Sequence, residues 1–201
     1  MDTIYGHIEA GLRQRGLWER AWQSVEDHAP LWHEHPLFIH IAKTILAAKI
    51  VLKQTQSAGA PIDLRIVMAL HDIEKIPLFI LYCQQPKLPG RLTYPDHEQQ
   101  SARKADRRGF DAETVFLIRW HGLRYSGIKP ENLIAKYGSD RDWLAKLMLV
   151  WACDVYGLGS NPKQLAESPA QIALIKQIAE QADLPDYIAP ICSRLMLAEQ
   201  S

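Results

Sequence analysis

The chain has 201 residues, of which 47% are hydrophobic, a size and composition that suit one domain with a sizeable buried core. Lys plus Arg and Asp plus Glu number 23 each, which argues against broad electrostatic capture of nucleic acid or an anionic membrane and leaves only a local basic face open. Cys83, Cys153 and Cys192 are widely spaced and form no CxxC, so they fit reduced thiols better than a disulfide framework.

The opening segment "MDTIYGHIEAGLRQRGLWER" mixes acidic and basic residues and has no apolar run. It does not resemble a signal peptide. The longest apolar stretches, such as "LAKLMLVWA", are far short of a membrane span. A cytoplasmic protein with no membrane partner is the expectation.

Helical texture runs through nearly the whole chain. "HPLFIHIAKTILAAKIVLKQTQ" repeats apolar residues at helical spacing, with Pro36 at a first-turn position. "SAGAP" breaks the pattern, and Pro61 or Asp63 is expected to open the helix that runs through "IDLRIVMALHD". Residues 84–96 hold three prolines and a glycine, which predicts an irregular loop. "HEQQSARKADRR" is a helix closed by Gly109, Asp111 caps "AETVFLIRWHG", and Gly122 ends it. Pro130 opens a short helix that stops at Gly138. "SDRDWLAKLMLVWACDVYG" starts at Ser139 or Asp140 and ends near Gly157. Ser168-Pro169 is expected to open "AQIALIKQIAEQA", and "DYIAPICSRLMLAEQ" follows. No strand alternation or repeat is present, so the predicted fold class is all-α, one helical bundle over residues 1–201. Residues 158–201 either complete the bundle or make an oligomer contact, such as a homodimer's.

Chemistry concentrates at the ends of these helices. His71 and Asp72 stand side by side at the end of a buried helix, and burying an unpaired ionisable group costs several kcal/mol. Asp154 sits deep in the apolar run "LVWACDVYG" and needs a partner too: a cation, a basic residue or a local backbone bond. His35, His97 and His121 lie at the ends of other helices. Adjacent helical residues point about 100° apart, so His71 and Asp72 can grip one ion lying off the flank between them. Imidazole with carboxylate and no thiolate suits Mn, Fe, Co, Ni, Zn or Mg.

Taken in order, His35, His71-Asp72 and Asp154 resemble the H…HD…D signature of the HD-domain superfamily of metal-dependent phosphohydrolases. "EHPLFIHIAKTILAAK" looks like its first-histidine helix, and "VMALHDIEK" is similar to its "LLHDIGK". "TYPDHEQQSARKA" and "FLIRWHG" resemble the "fyGHEevGA" and "vRhH" segments of HD domains in bacterial tRNA nucleotidyltransferases. The resemblance covers about residues 33–157. It implies that His35, His71, Asp72 and Asp154 hold one metal ion, and that His97 and His121 complete a second site or contact phosphate. On that reading Asp72 is the water-positioning base and Lys75 contacts phosphate, with Arg119 and Arg124 close enough in sequence to His121 to assist. One departure is clear: Glu74 stands where the family has glycine. His33 competes with His35, which is preferred because it directly precedes Pro36. His40, five residues further and about 140° round the helix, is expected to face away.

Arg103, Lys104, Arg107 and Arg108 form a basic run suited either to solvent or to steering a phosphorylated ligand. Trp120, beside His121, is the tryptophan placed to stack on a base. The expected function is a phosphohydrolase acting on a phosphomonoester or cyclic phosphodiester, of a nucleotide or an RNA end. The rival is a non-catalytic HD-fold module that binds and senses a nucleotide, and a helical protein with incidental histidines is the third reading.

Overall fold

The computed structural model describes residues 37–77, 94, 96–159 and 162–198, together with residues 10, 13, 14 and 16. The first described helix, α1 (Leu37–Ser57), buries Leu37, Ile41, Ala48 and Val51, residues spaced at three, four or seven along one face. Pro36 and the cysteine at position 83 lie outside the described residues. The turn after α1 uses Gly59 at φ +75°, and Thr55 Oγ1 accepts the Ile62 N–H at 2.9 Å.

The next helix, α2 (Arg65–Leu70), starts later than expected. Asp63 stays outside it and accepts both the N–H of Arg65, at 3.1 Å, and its guanidinium. The helix also stops early. From His71 the chain tightens: the Ile73 N–H donates to Leu70 O and the Lys75 N–H to Asp72 O, at 3.1 and 3.0 Å. These bonds span three residues, and so His71–Glu74 form a compact turn closing α2, with the chain helical again from Lys75.

Two short helices follow, α3 (His97–Arg107) and α4 (Ala112–Trp120). Gly109 at φ +78° separates them, and Asp111 caps α4 by accepting from the Thr114 N–H at 2.7 Å. A 3-10 turn (Leu123–Ser126) leads to α5 (Pro130–Tyr137). Asp140 then caps α6 (Arg141–Leu158), accepting from the Trp143 N–H at 3.1 Å.

The helix predicted to open at Ser168-Pro169 in fact begins earlier, as α7 (Pro162–Gln181), with Pro169 inside it. Proline removes one N–H donor from a helix interior, but the preceding "KQLAES" is made largely of helix formers. The last described helix is α8 (Ile188–Leu197).

The eight helices named, α1 to α8, pack around one core with α6 at its centre. Thirteen of the eighteen residues of α6 are buried, because α1, α2, α4, α5, α7 and α8 all pack against it. Burial on every side explains why α6 reads as a nearly continuous apolar run rather than a stripe. Ile188, Ile191, Cys192, Leu195 and Met196 of α8 join the same core. Both α7 and α8 pack against α6. No helix among the described residues is long and apolar enough to cross a membrane.

Candidate metal centre

Five elements bring their polar residues to one place. His40 comes from the second turn of α1, His71 and Asp72 from the turn after α2, His97 from the start of α3, His121 from the end of α4, and Asp154 from the buried helix α6. His40, His71, Asp72, His121 and Asp154 are all buried. His97 is the most open, its side chain 16% exposed.

Asp72 occupies the middle. Its Oδ2 lies 3.4 Å from His40 Nε2 and 3.5 Å from His71 Nε2. Its Oδ1 lies 3.3 Å from His97 Nε2 and 3.4 Å from His121 Nε2. Asp154 Oδ1 joins the first side, 3.1 Å from His40 Nε2 and 3.4 Å from His71 Nε2. The centre thus has two halves that share one carboxylate: His40, His71 and Asp72 with Asp154, and Asp72 with His97 and His121.

Three of the imidazoles are oriented by their own backbone. Nδ1 of His71, His97 and His121 contacts the carbonyl of Met68, Tyr94 and Ile118, at 2.8, 2.8 and 2.7 Å. A carbonyl only accepts, so each Nδ1 carries the proton and each Nε2 turns a lone pair toward the cluster. His40 is held differently, packed against Gly157 of α6. A Cβ on Gly157 would stand 2.7 Å from His40 Nδ1 and 2.4 Å from Thr44 Cγ2. Only a residue without a side chain lets α1 and α6 approach this closely.

The donor set fits a metal ion. Ligand atoms about 2.1 Å from one ion stand about 3.0 Å apart in octahedral and about 3.4 Å apart in tetrahedral coordination; the histidine–carboxylate and His40–His71 separations run from 3.1 to 3.5 Å, and the candidate ligand atoms of each half all lie within 4.8 Å of one another. Hydrogen bonding alone explains the cluster poorly. The lone pairs of His71, His97 and His121 face one another and the carboxylates, and neither oxygen of Asp72 has a hydrogen bond of good geometry although both are buried. Nitrogen and carboxylate ligands without thiolate suit the metals named from the sequence.

Basic residues balance the two carboxylates. Lys75 Nζ lies 2.8 Å from Asp72 Oδ2 and over the ring of Tyr94. Arg124 donates to Asp154 Oδ2 at 2.6 Å, to the Tyr125 hydroxyl and to the carbonyl of His121 at 3.1 Å. Burial alone would raise the carboxyl of Asp72, but the charge of Lys75 and the imidazoles of His71, His121 and His40 around it hold it well below the usual range. Asp154 is likewise held low against its burial, by Arg124, His40 and His71. Burial would lower His40, yet Asp154 and Asp72 push it up to about 9.

Of the residues the sequence singled out, His71, Asp72, His97, His121 and Asp154 meet in this cluster, with Lys75 and Arg124 at its edge. His35 and His33 lie outside the described residues. His40 corrects the expectation that it faces away: with α1 starting at Leu37, it shares the inward face with Ile41 and Thr44. A glycine late in the facing apolar helix was the signal for it. Arg124 is buried and turned onto Asp154, so it holds that carboxylate in place. Arg119 is half-buried and two residues from His121, on the other side of α4. Trp120 packs on Tyr137 with Lys136 over its ring. Glu74 is ion-paired with Lys104, while Arg103, Arg107 and Arg108 face solvent. A cavity of about 450 Å³ lined by Ile62, Arg141, Asp183 and Tyr187 contains none of the cluster residues, and the chemistry belongs with the cluster.

No protein-family model, curated protein or solved structure matches this chain. By its own geometry it is an all-helical protein with a buried His/Asp cluster able to hold a metal ion, compatible with an HD-like fold.

Proposed function

We propose that the chain is an HD-type metal-dependent phosphohydrolase that cleaves a phosphomonoester or cyclic phosphodiester, with a nucleotide or RNA end as the favoured substrate class. The observation that carries this reading is the sharing of Asp72 between two histidine pairs, His40 with His71 and His97 with His121. One or two divalent cations held there supply Lewis acidity at phosphorus and a water of lowered pKa.

The chain's own residues divide the remaining work. Asp72 and Asp154 stay ionised at neutral pH, which suits ligands. A carboxylate held this low is a poor proton abstractor, so Asp72 orients the water through its oxygens. Lys75, mostly buried and beside Asp72, is placed to exchange that contact for a phosphate oxygen. His97, the most exposed member, marks the side from which substrate arrives. Arg124 keeps Asp154 Oδ2 occupied, so that Oδ1 faces the histidines.

The test is a panel of phosphomonoesters and cyclic phosphodiesters offered to protein reconstituted with Mn, Co, Ni or Mg, beside Asp72→Ala. Phosphate or phosphomonoester release by wild type, lost in the variant, supports the reading. Nucleotide binding with no turnover under any metal sinks it in favour of the sensing module.

A further inference from the structure

Glu74 occupies the position where the resembling family has glycine, and the backbone there has no need of one. Among the described non-glycine residues, positive φ occurs only at Asp96 and Asp183. Glu74 instead reaches across to α3. Its carboxylate pairs with Lys104, and its N–H donates to Ser101 Oγ at 3.3 Å. Ser101 and Lys104 stand four and seven residues after His97, on one face of α3. The residue two positions after Asp72 therefore grips the helix that carries His97.

That grip adds to a packing of α3 along α4 that leaves its face toward the HDIEK turn lightly anchored. Its buried residues are Ser101, Ala102 and Ala105, which offer small apolar surfaces. A second close approach lies nearer His97: Glu98 sits against Gly122, directly after His121, where a Cβ would stand 2.5 Å from Glu98 Oε1. Contacts that orient ligand-bearing elements tune metal affinity without touching the metal.

We propose that Glu74, acting through Lys104, is a positioning residue that sets the distance of His97 from Asp72 and so governs metal occupancy of the His97–His121 half. The inference rests on the metal-centre part of the proposed function and not on hydrolysis. It makes Glu74 a replacement for the glycine with a purpose of its own, selective for one half of the centre.

The experiment is a Co(II) titration of metal-stripped protein, followed by calorimetry and by the cobalt absorption bands. Wild type is compared with Glu74→Gln, Lys104→Met and the charge-exchanged double variant Glu74→Lys/Lys104→Glu. Circular dichroism verifies that each is folded. The expected result is two ions in wild type, with one of the two affinities weakened about tenfold in each single variant and recovered in the exchanged pair. Removal of His97 should abolish that same affinity. Single variants that bind both ions like wild type, weaken both equally, or gain nothing from the exchange overturn the inference. Wild type that takes up one ion also overturns it but leaves a single-ion centre standing. Wild type that takes up none ends the metal-centre reading itself.

Discussion

The imidazole of His40 lies directly on Gly157, 2.7 Å from where a Cβ would be. An alanine at Gly157 gains up to about 1 kcal/mol of helix propensity but overpacks a site where neither His40 nor Thr44 can move aside, at about 1–3 kcal/mol. The second effect is the larger. Gly157→Ala is expected to lower stability by about 1–2 kcal/mol and metal affinity by at least about tenfold. Urea unfolding and metal titration check this, and an unchanged metal affinity would refute the placement of His40.

The shared carboxylate makes the ligand set separable by mutation. Asp72→Ala should remove metal from both halves, whereas His40→Ala should spare the His97–His121 half and His121→Ala the other. Elemental analysis of the three variants decides it. Equal losses in all three would mean a single centre rather than two joined by Asp72.

Metal-stripped protein should show an uncommon pH profile. His40 titrates at about 9 in the folded chain against 6.5 as a free imidazole. Its contribution to stability is therefore complete below about pH 6.5 and is lost as pH rises through about 9. Asp72 and Asp154 are shifted the other way, so theirs is present above about pH 4 and lost on acidification below that. Thermal midpoints in chelator should peak between about pH 4 and 6.5 and decline toward pH 9. His40→Gln should flatten the alkaline decline, and a midpoint that rises with pH from 6.5 to 9 contradicts the arrangement.

Arg124 connects the two halves from beneath, through Asp154 Oδ2 and the His121 carbonyl. Arg124→Met strands a buried carboxylate and should destabilise by about 3–5 kcal/mol. Arg124→Lys should recover little, because an ammonium lacks the planar fork that reaches both acceptors. Denaturant midpoints of the two variants provide the comparison.

Much of this arrangement was legible in the sequence. Helix ends were marked by Asp111, Asp140, Gly109 and Gly138, and the ionisable residues inside apolar runs pointed to His71, Asp72 and Asp154. Spacing failed where tertiary contact decides. His40 was assigned outward by counting round the helix from His35, while its true direction follows from a gap on α6 that lies more than a hundred residues away in sequence. Pro169 was read as a start because a local rule outweighed the helix formers before it. Glu74 was legible as a departure, but its partner on α3 was not, since an ion pair between elements has no periodicity.

The two halves of the centre also differ in how they are anchored. Asp154 rides on α6, buried on all sides, and moves only when the whole fold opens. His97 rides on α3, which packs along α4 and buries only Ser101, Ala102 and Ala105, a smaller anchorage that is expected to open at lower free energy than α6. Amide exchange in α3 should run ahead of that in α6. Brief detachment of α3 would uncover the cluster, letting an ion enter or escape without unfolding. The same helix that completes the centre would then be its door, and its opening rate would set the ion's residence time.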